Sequence, residues 1–134
     1  MTSAVALNND GPTSQYPNGA IPITAASGNV ANASGVATLA GAAGKTTYIT
    51  GFQVTSTGAT LGFPVLVTVT GVVSGTITYV YAAIAGALLI NQPLVIALPM
   101  AVPASAANTA IVVTLPALGA GNTNASVAAQ GYQL

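Results

Sequence analysis

The sequence predicts an all-β domain, an antiparallel two-sheet β-sandwich of jelly-roll type with about eight strands and an extended N-terminal arm. Three observations carry this. Short segments rich in Val, Ile, Thr and Tyr recur at roughly 10–15-residue intervals. Gly, Pro, Asn and Ser clusters separate them, and no stretch has a convincing helical period. No fixed-length repeat is visible, which argues against a β-solenoid.

Residues 1–19 read as the arm, because Asn8–Pro12 and Tyr16–Gly19 are turn-type clusters without apolar periodicity. The β-domain is expected over 20–134. Ala20–Thr24 is a short strand confined to a sheet edge by Pro22, since proline cannot donate to a ladder. Ser34–Ala40 is a strand in which Val36 and Leu39 are apolar but out of strict phase, and Gly41–Lys45 is a turn. Thr46–Ser56 is a long strand with Tyr48, Phe52 and Val54 expected on one face and Thr47, Ile49 and Gln53 on the other.

Pro64–Val72 carries the cleanest signal. Val65, Val67 and Val69 alternate with Leu66, Thr68 and Thr70, and β-branched side chains favour the pleated surface. Ser74-Gly75 breaks the run, and Thr76–Ala82 continues with Ile77, Tyr79 and Tyr81 in phase, so a hairpin is expected here. Ala82–Asn91 reads as a loop or a single helical turn. Pro93–Leu98 is a strand bounded by Pro93 and Pro99, and Ala104–Asn108 is a turn. Thr109–Leu115 is a strand with Ile111, Val113 and Leu115 facing one way. Gly119–Asn124 is a loop, and Ala125–Gln133 is the closing strand.

Composition narrows function by exclusion. Of the 134 residues, 52% are hydrophobic and only 1% are charged, against about a quarter charged in an average soluble domain. Asp10 is the one acid and Lys45 the one base; there is no His and no Cys. General acid–base chemistry draws on His, carboxylates, Lys, Tyr or Cys, so only Asp10, Lys45 and five Tyr are candidates. One carboxylate cannot hold a metal ion, and a Ser nucleophile would have only Lys45 as its base. No catalytic, cofactor-binding or metal-binding residue is therefore assigned, and the chain is expected not to be an enzyme. One Lys cannot neutralise a phosphate backbone, so nucleic acid is not an expected partner.

The mean hydropathy is +0.74, but the most apolar window, Tyr79–Ile90, is interrupted by Gly86 and is shorter than the roughly twenty residues of a spanning helix. Membrane insertion is not expected, and with aromatics at 5% a membrane barrel is weakly supported too. The first ten residues lack the basic and apolar regions of a signal peptide, so no secretory signal is expected there and synthesis in a cytoplasm is.

Several patterns imitate motifs. Gly41-Ala-Ala-Gly-Lys45-Thr46 looks like the end of a phosphate loop, but position 39 is Leu and a strand pattern follows. Gly119-Ala-Gly121 lacks the third glycine of a dinucleotide fingerprint, since position 124 is Asn. Asn32-Ala-Ser34 and Asn124-Ala-Ser126 fit the glycosylation pattern, which is frequent by chance. Tyr48, Phe52, Tyr79, Tyr81 and Tyr132 could form a carbohydrate platform, yet their in-phase placement on strands favours packing in a core or at a subunit interface. Thr46-Thr47 and Thr68–Thr70 raise an ice-binding surface as a further alternative.

The stretches Thr47–Thr55, Pro103–Val113, Pro116–Asn124 and Gly131–Leu134 resemble small proteins from the structural gene clusters of tailed bacteriophages. The chain is also similar, over roughly 20–134, to compact jelly-roll domains that decorate phage heads or build their fibres. The resemblance implies a virion structural protein: a capsid decoration or cement subunit, commonly a homotrimer, bound to the major capsid protein. A head-fibre, collar or tail-fibre subunit is the nearest alternative. It implies no catalytic residues and no cofactor. The composition agrees with a subunit whose surface is covered in an assembly, because strand edges and apolar patches here lack the charges that usually guard them.

Overall fold

The structure is a computed structural model, and it describes residues 16–134. The expected arm falls mostly outside the described residues. Its last residues, Tyr16–Gly19, form the anticipated turn, with Ala20 N–H donating to Pro17 O (3.0 Å) and Gly19 at φ +85°.

Eight strands follow: β1 (Ile21–Ala26), β2 (Gly35–Leu39), β3 (Thr47–Ser56), β4 (Phe63–Val72), β5 (Gly75–Ala83), β6 (Leu94–Pro103), β7 (Ile111–Leu115) and β8 (Ala125–Gln133). They form two four-stranded antiparallel sheets, ordered β1-β8-β3-β6 and β2-β7-β4-β5. There is no helix among the described residues.

The pairing has a simple logic. β4 pairs with β5, β3 with β6, β2 with β7 and β1 with β8. The chain is thus one long hairpin folded at the β4–β5 turn and then wrapped. Wrapping adds the contacts of β8 with β3 and of β7 with β4. Two sheets related in this way are a jelly roll.

Alternation decides which face each strand buries. In β4, Val65, Val67 and Val69 point inward while Leu66, Thr68 and Thr70 point outward; in β7, Ile111, Val113 and Leu115 are fully buried. β8 sends Ala125, Val127 and Ala129 into the same core, which Leu39, Ile49, Phe52, Val54 and Leu118 complete. The small alanines of β8, paired with β1 and β3 in the middle of its sheet, leave room for the Phe52 ring.

Two expectations about the strands are corrected. Tyr48 does not share a face with Phe52 and Val54. A β-bulge between Ile49 and Gly51 leaves Thr50 without a ladder partner, so Thr47 and Ile49 are buried before it and Phe52, Val54 and Ser56 after it. Ile49 therefore joins Phe52 in the core, and Tyr48 faces outward. Pro99 does not end a strand: β6 continues to Pro103, because it is an edge strand whose ladder is already broken opposite Thr50. In β2, Ala37 and Leu39 point inward and the larger Val36 is left outside. Pro22 lies in an edge strand as expected, and Ile84–Asn91 is a loop.

Candidate functional site

Lys45 sits where the sequence put it, at the end of a turn. Its N–H donates to Ala42 O (3.1 Å), its carbonyl accepts from Asn108 N–H (2.9 Å), and Gly44 has φ +70°. The chain then enters β3, so the backbone amides do not gather at a helix N-terminus and the phosphate-loop resemblance ends there. The Gly119–Asn124 segment is likewise a turn leading into β8. Asn32 and Asn124 are exposed.

The aromatic residues divide into two groups. Phe52 and Tyr79 meet edge to face between the sheets, with centroids 5.2 Å apart, and Tyr81 is buried beside them. Tyr48 and Tyr132 stack on the other side of their sheet (4.9 Å), and Tyr16 closes over Tyr132 edge-on (5.7 Å). The bulge at Thr50 creates this second group, because it turns Tyr48 outward to meet Tyr132 at the paired position. Tyr132 is 8% exposed although it lies on an outer sheet face.

Beside this aromatic stack runs an open groove of about 830 Å³. Thr50, Gln53 and Gln130 lie along it, with Tyr16 and Tyr132 on one side and the irregular Val95–Ala101 stretch of β6 on the other. Its polar groups are amides and hydroxyls, none of them charged. Such a surface can hydrogen-bond and pack but cannot act as a general base near neutral pH.

The most developed polar cluster is structural. Asn91 Nδ2 donates to Ser56 Oγ (2.7 Å) and to Thr57 O (3.2 Å), and Asn91 Oδ1 accepts from Ile84 N–H (2.9 Å). Ser56 Oγ also shares a 2.8 Å hydrogen bond with the Tyr81 hydroxyl. Asn122 Nδ2 donates to Thr57 O and Asn124 O, and Asn122 Oδ1 accepts from Asn32 N–H. Together these bonds fasten the β5–β6 and β7–β8 loops to the end of β3. No buried side-chain polar atom among the described residues is unsatisfied. A serine and a tyrosine in contact suggest chemistry, but every partner is an amide, a carbonyl or a hydroxyl, and nothing there can take a proton from Ser56.

Neither Asn91 nor Asn122 stands out in the sequence; an isolated Asn between Ile90 and Gln92-Pro93 was the only signal. Asn91→Ala should lower stability by about 2–4 kcal/mol, because it strips the Ile84 amide and the Ser56–Tyr81 pair of their partner. A urea titration checks this, and an unchanged midpoint would contradict it.

The Tyr81 hydroxyl has a pKa above the ordinary tyrosine value of 10.0, chiefly because burial disfavours the phenolate, with the Ser56 and Asn91 hydrogen bonds pulling it part of the way back. Tyr132 is raised too, by burial first and by the neighbouring Tyr48 second. A group whose pKa is higher folded than unfolded holds more protons when folded. Its stabilisation is full below the unfolded pKa and fades as pH rises through the folded one. Since Asp10 and Lys45 are the only charged side chains, stability should be flat from about pH 5 to 9 and fall above about 10. Tyr81→Phe should flatten part of that alkaline limb in thermal melts; a limb identical to that of the unaltered chain would refute the assignment.

At the end of the sandwich that this network braces, the loops expose large apolar side chains. Leu61 is 75% exposed, Leu88 86% and Ile90 77%, beside a small apolar hollow under Phe63 and Leu118. The outer face of the β2-β7-β4-β5 sheet is also free of charge. Val36, Thr114, Thr68 and Thr78 form one row across its four strands. Thr46-Thr47 is no part of that face, since Thr47 is buried and its Oγ1 donates to Ala40 O (3.0 Å). Comparison of the chain with family models, with characterised proteins and with solved structures gives no match.

Proposed function

We propose that this protein is a structural subunit of a viral particle, a capsid decoration or cement protein that binds the major capsid protein. The observation that carries the reading is a jelly roll whose outer faces, edges and loop tips are apolar or hydrogen-bonding and bear a single charged side chain, Lys45, among the described residues. Such a surface is poorly protected against association in free solution and is suited to burial against other subunits. The phage-protein resemblance supplies the particle and favours a trimer; a head-fibre, collar or tail-fibre position is the nearest variant. Contacts made by this chain would be van der Waals and neutral hydrogen bonds, so they should resist salt.

The test is co-sedimentation of the purified protein with shells of the major capsid protein from a phage that encodes it. Pelleting that changes by less than about twofold between 0.05 and 1 M salt is expected, because no charge pairs need be screened. Protein left in the supernatant at both salt levels would overturn the reading.

A second reading rests on the cross-strand row of threonines. Thr68, Thr78 and Thr114 stand on adjacent strands, roughly 4.8 Å apart, and so align three hydroxyl-bearing side chains in one row that an ice or glycan surface could meet. Thermal hysteresis or glycan binding lost in Thr68→Lys would favour it over the particle reading; absence of both activities would dismiss it.

A further inference from the structure

Four strands lie at sheet edges, and three of them carry a feature that discourages further pairing. β1 contains Pro22. β6 contains Pro99 and Pro103 and has a broken register. β2 is only five residues long. Proline, irregularity and shortness are the means by which natural sheets blunt their edges.

β5 has no proline and is not short, and the one shift in its register with β4, between Val69 and Val72, lies at the turn end. It is nine residues long, Gly-Thr-Ile-Thr-Tyr-Val-Tyr-Ala-Ala, with no proline and no charge, and its register with β4 is unbroken from Ile77 to Ala83. It pairs with β4 alone in its sheet. Its outward residues Thr76, Thr78, Val80 and Ala82 are exposed, Val80 to 69%. A long, uncharged edge of this composition is a template for another strand.

We infer that β5 is a contact between copies of this chain, in which two β5 strands pair antiparallel across a two-fold axis at Tyr79. The occupant is a second copy because the edge complements itself. Tyr79 is the middle residue of β5, so the dyad sets Thr78 against Val80 of the second copy and Thr76 against Ala82. No like charges oppose each other anywhere along the pair, and no charge is buried without a partner. A second copy brings the same nine uncharged residues to the edge in the same register.

The same register brings Val73 of the β4–β5 turn, 63% exposed, beside Ile84 and Ala85 of the second copy, where Ile84 is 42% exposed. Apolar groups left in water by the single subunit are thereby covered at both ends of the paired strands. An isologous contact of this kind joins two sheets into one eight-stranded sheet and closes on itself. It is distinct from a three-fold contact, so trimers could be linked through it at dyads. The inference rests on the reading above only in treating the chain as an assembling subunit.

The chain has no cysteine, which makes disulfide trapping clean. In Thr78→Cys/Val80→Cys the two thiols lie about 7 Å apart on one strand, beyond the roughly 4 Å between Cβ atoms that a disulfide spans, so they can bridge only to another copy. Mild oxidation should yield a covalent dimer, about tenfold more than from Leu61→Cys, an equally exposed site away from the dyad. Crosslinking no greater than that of Leu61→Cys would overturn the inference. As an independent measurement, Thr78→Lys/Val80→Lys, folded by circular dichroism, should sediment at half the mass of the unaltered protein or less. An unchanged mass would equally overturn it. Failure of capsid co-sedimentation alongside successful crosslinking would count against the particle reading and not against this contact.

Discussion

Gly131→Ala should abolish or severely weaken folding. Gly131 lies in β8 opposite Ile49, at the bulge where β3 and β8 shift register, and the Thr50 hydroxyl there donates to Gln130 O. A Cβ added at 131 would fall inside the van der Waals envelope of the Tyr48 carbonyl oxygen and against Ile49 Cα. Those neighbours are backbone atoms of the central strand pair, so they cannot swing aside as a side-chain tip would. The strands would have to separate where β8 is held between β1 and β3. Overpacking of a rigid site costs about 3 kcal/mol or more, a large part of the 5–15 kcal/mol by which domains are typically stable. Soluble expression and a denaturant melt of the variant provide the check, and a melt within about 1 kcal/mol of the unaltered chain would show that β8 can yield.

Phe52→Ala should be the most damaging truncation in the core. Phe52 is fully buried, is the largest of the fully buried side chains, and reaches from one sheet to Tyr79 on the other. Its loss removes the transfer energy of the ring, leaves a cavity between two rigid sheets and deprives Tyr79 of its edge-to-face partner. Together these amount to about 3–5 kcal/mol. Phe52→Leu should recover more than half of that loss, since it refills most of the space. A urea series on the two variants distinguishes packing from a local backbone effect: equal loss in both would contradict the cavity account.

Much of the fold was legible because the inward set of most strands follows a period of two. Val65, Val67 and Val69, and Ile111, Val113 and Leu115, declare their faces without knowledge of any partner. The edge position of β1 was legible from Pro22 for an equally local reason. What escaped was set by partners distant in sequence. The bulge at Thr50 inverts the face of every later residue in β3, yet only the pairing with β8 and β6 determines that one residue is skipped. Pro99 looked like a strand end because a proline blocks one ladder, whereas an edge strand has a side on which that loss goes unnoticed. The loop network was hidden for the same reason: Asn91 acquires its meaning from Ser56 and Tyr81, which the fold brings to it.

The functional reading draws mainly on composition, with two charged side chains in the whole chain. The structure adds that the uncharged residues are organised, with an aromatic stack and amide-lined groove on one sheet, a threonine row and bare edge on the other, and an apolar loop tip at one end. On the proposed reading, all of these are surfaces for contact. The most direct test of the central claim is quantitative mass spectrometry of gradient-purified particles from cells that encode the protein. The account predicts that the chain is present in a fixed ratio to the major capsid protein that persists through a high-salt wash. Its absence from the particles, with the protein recovered only in the soluble cell fraction, would contradict it.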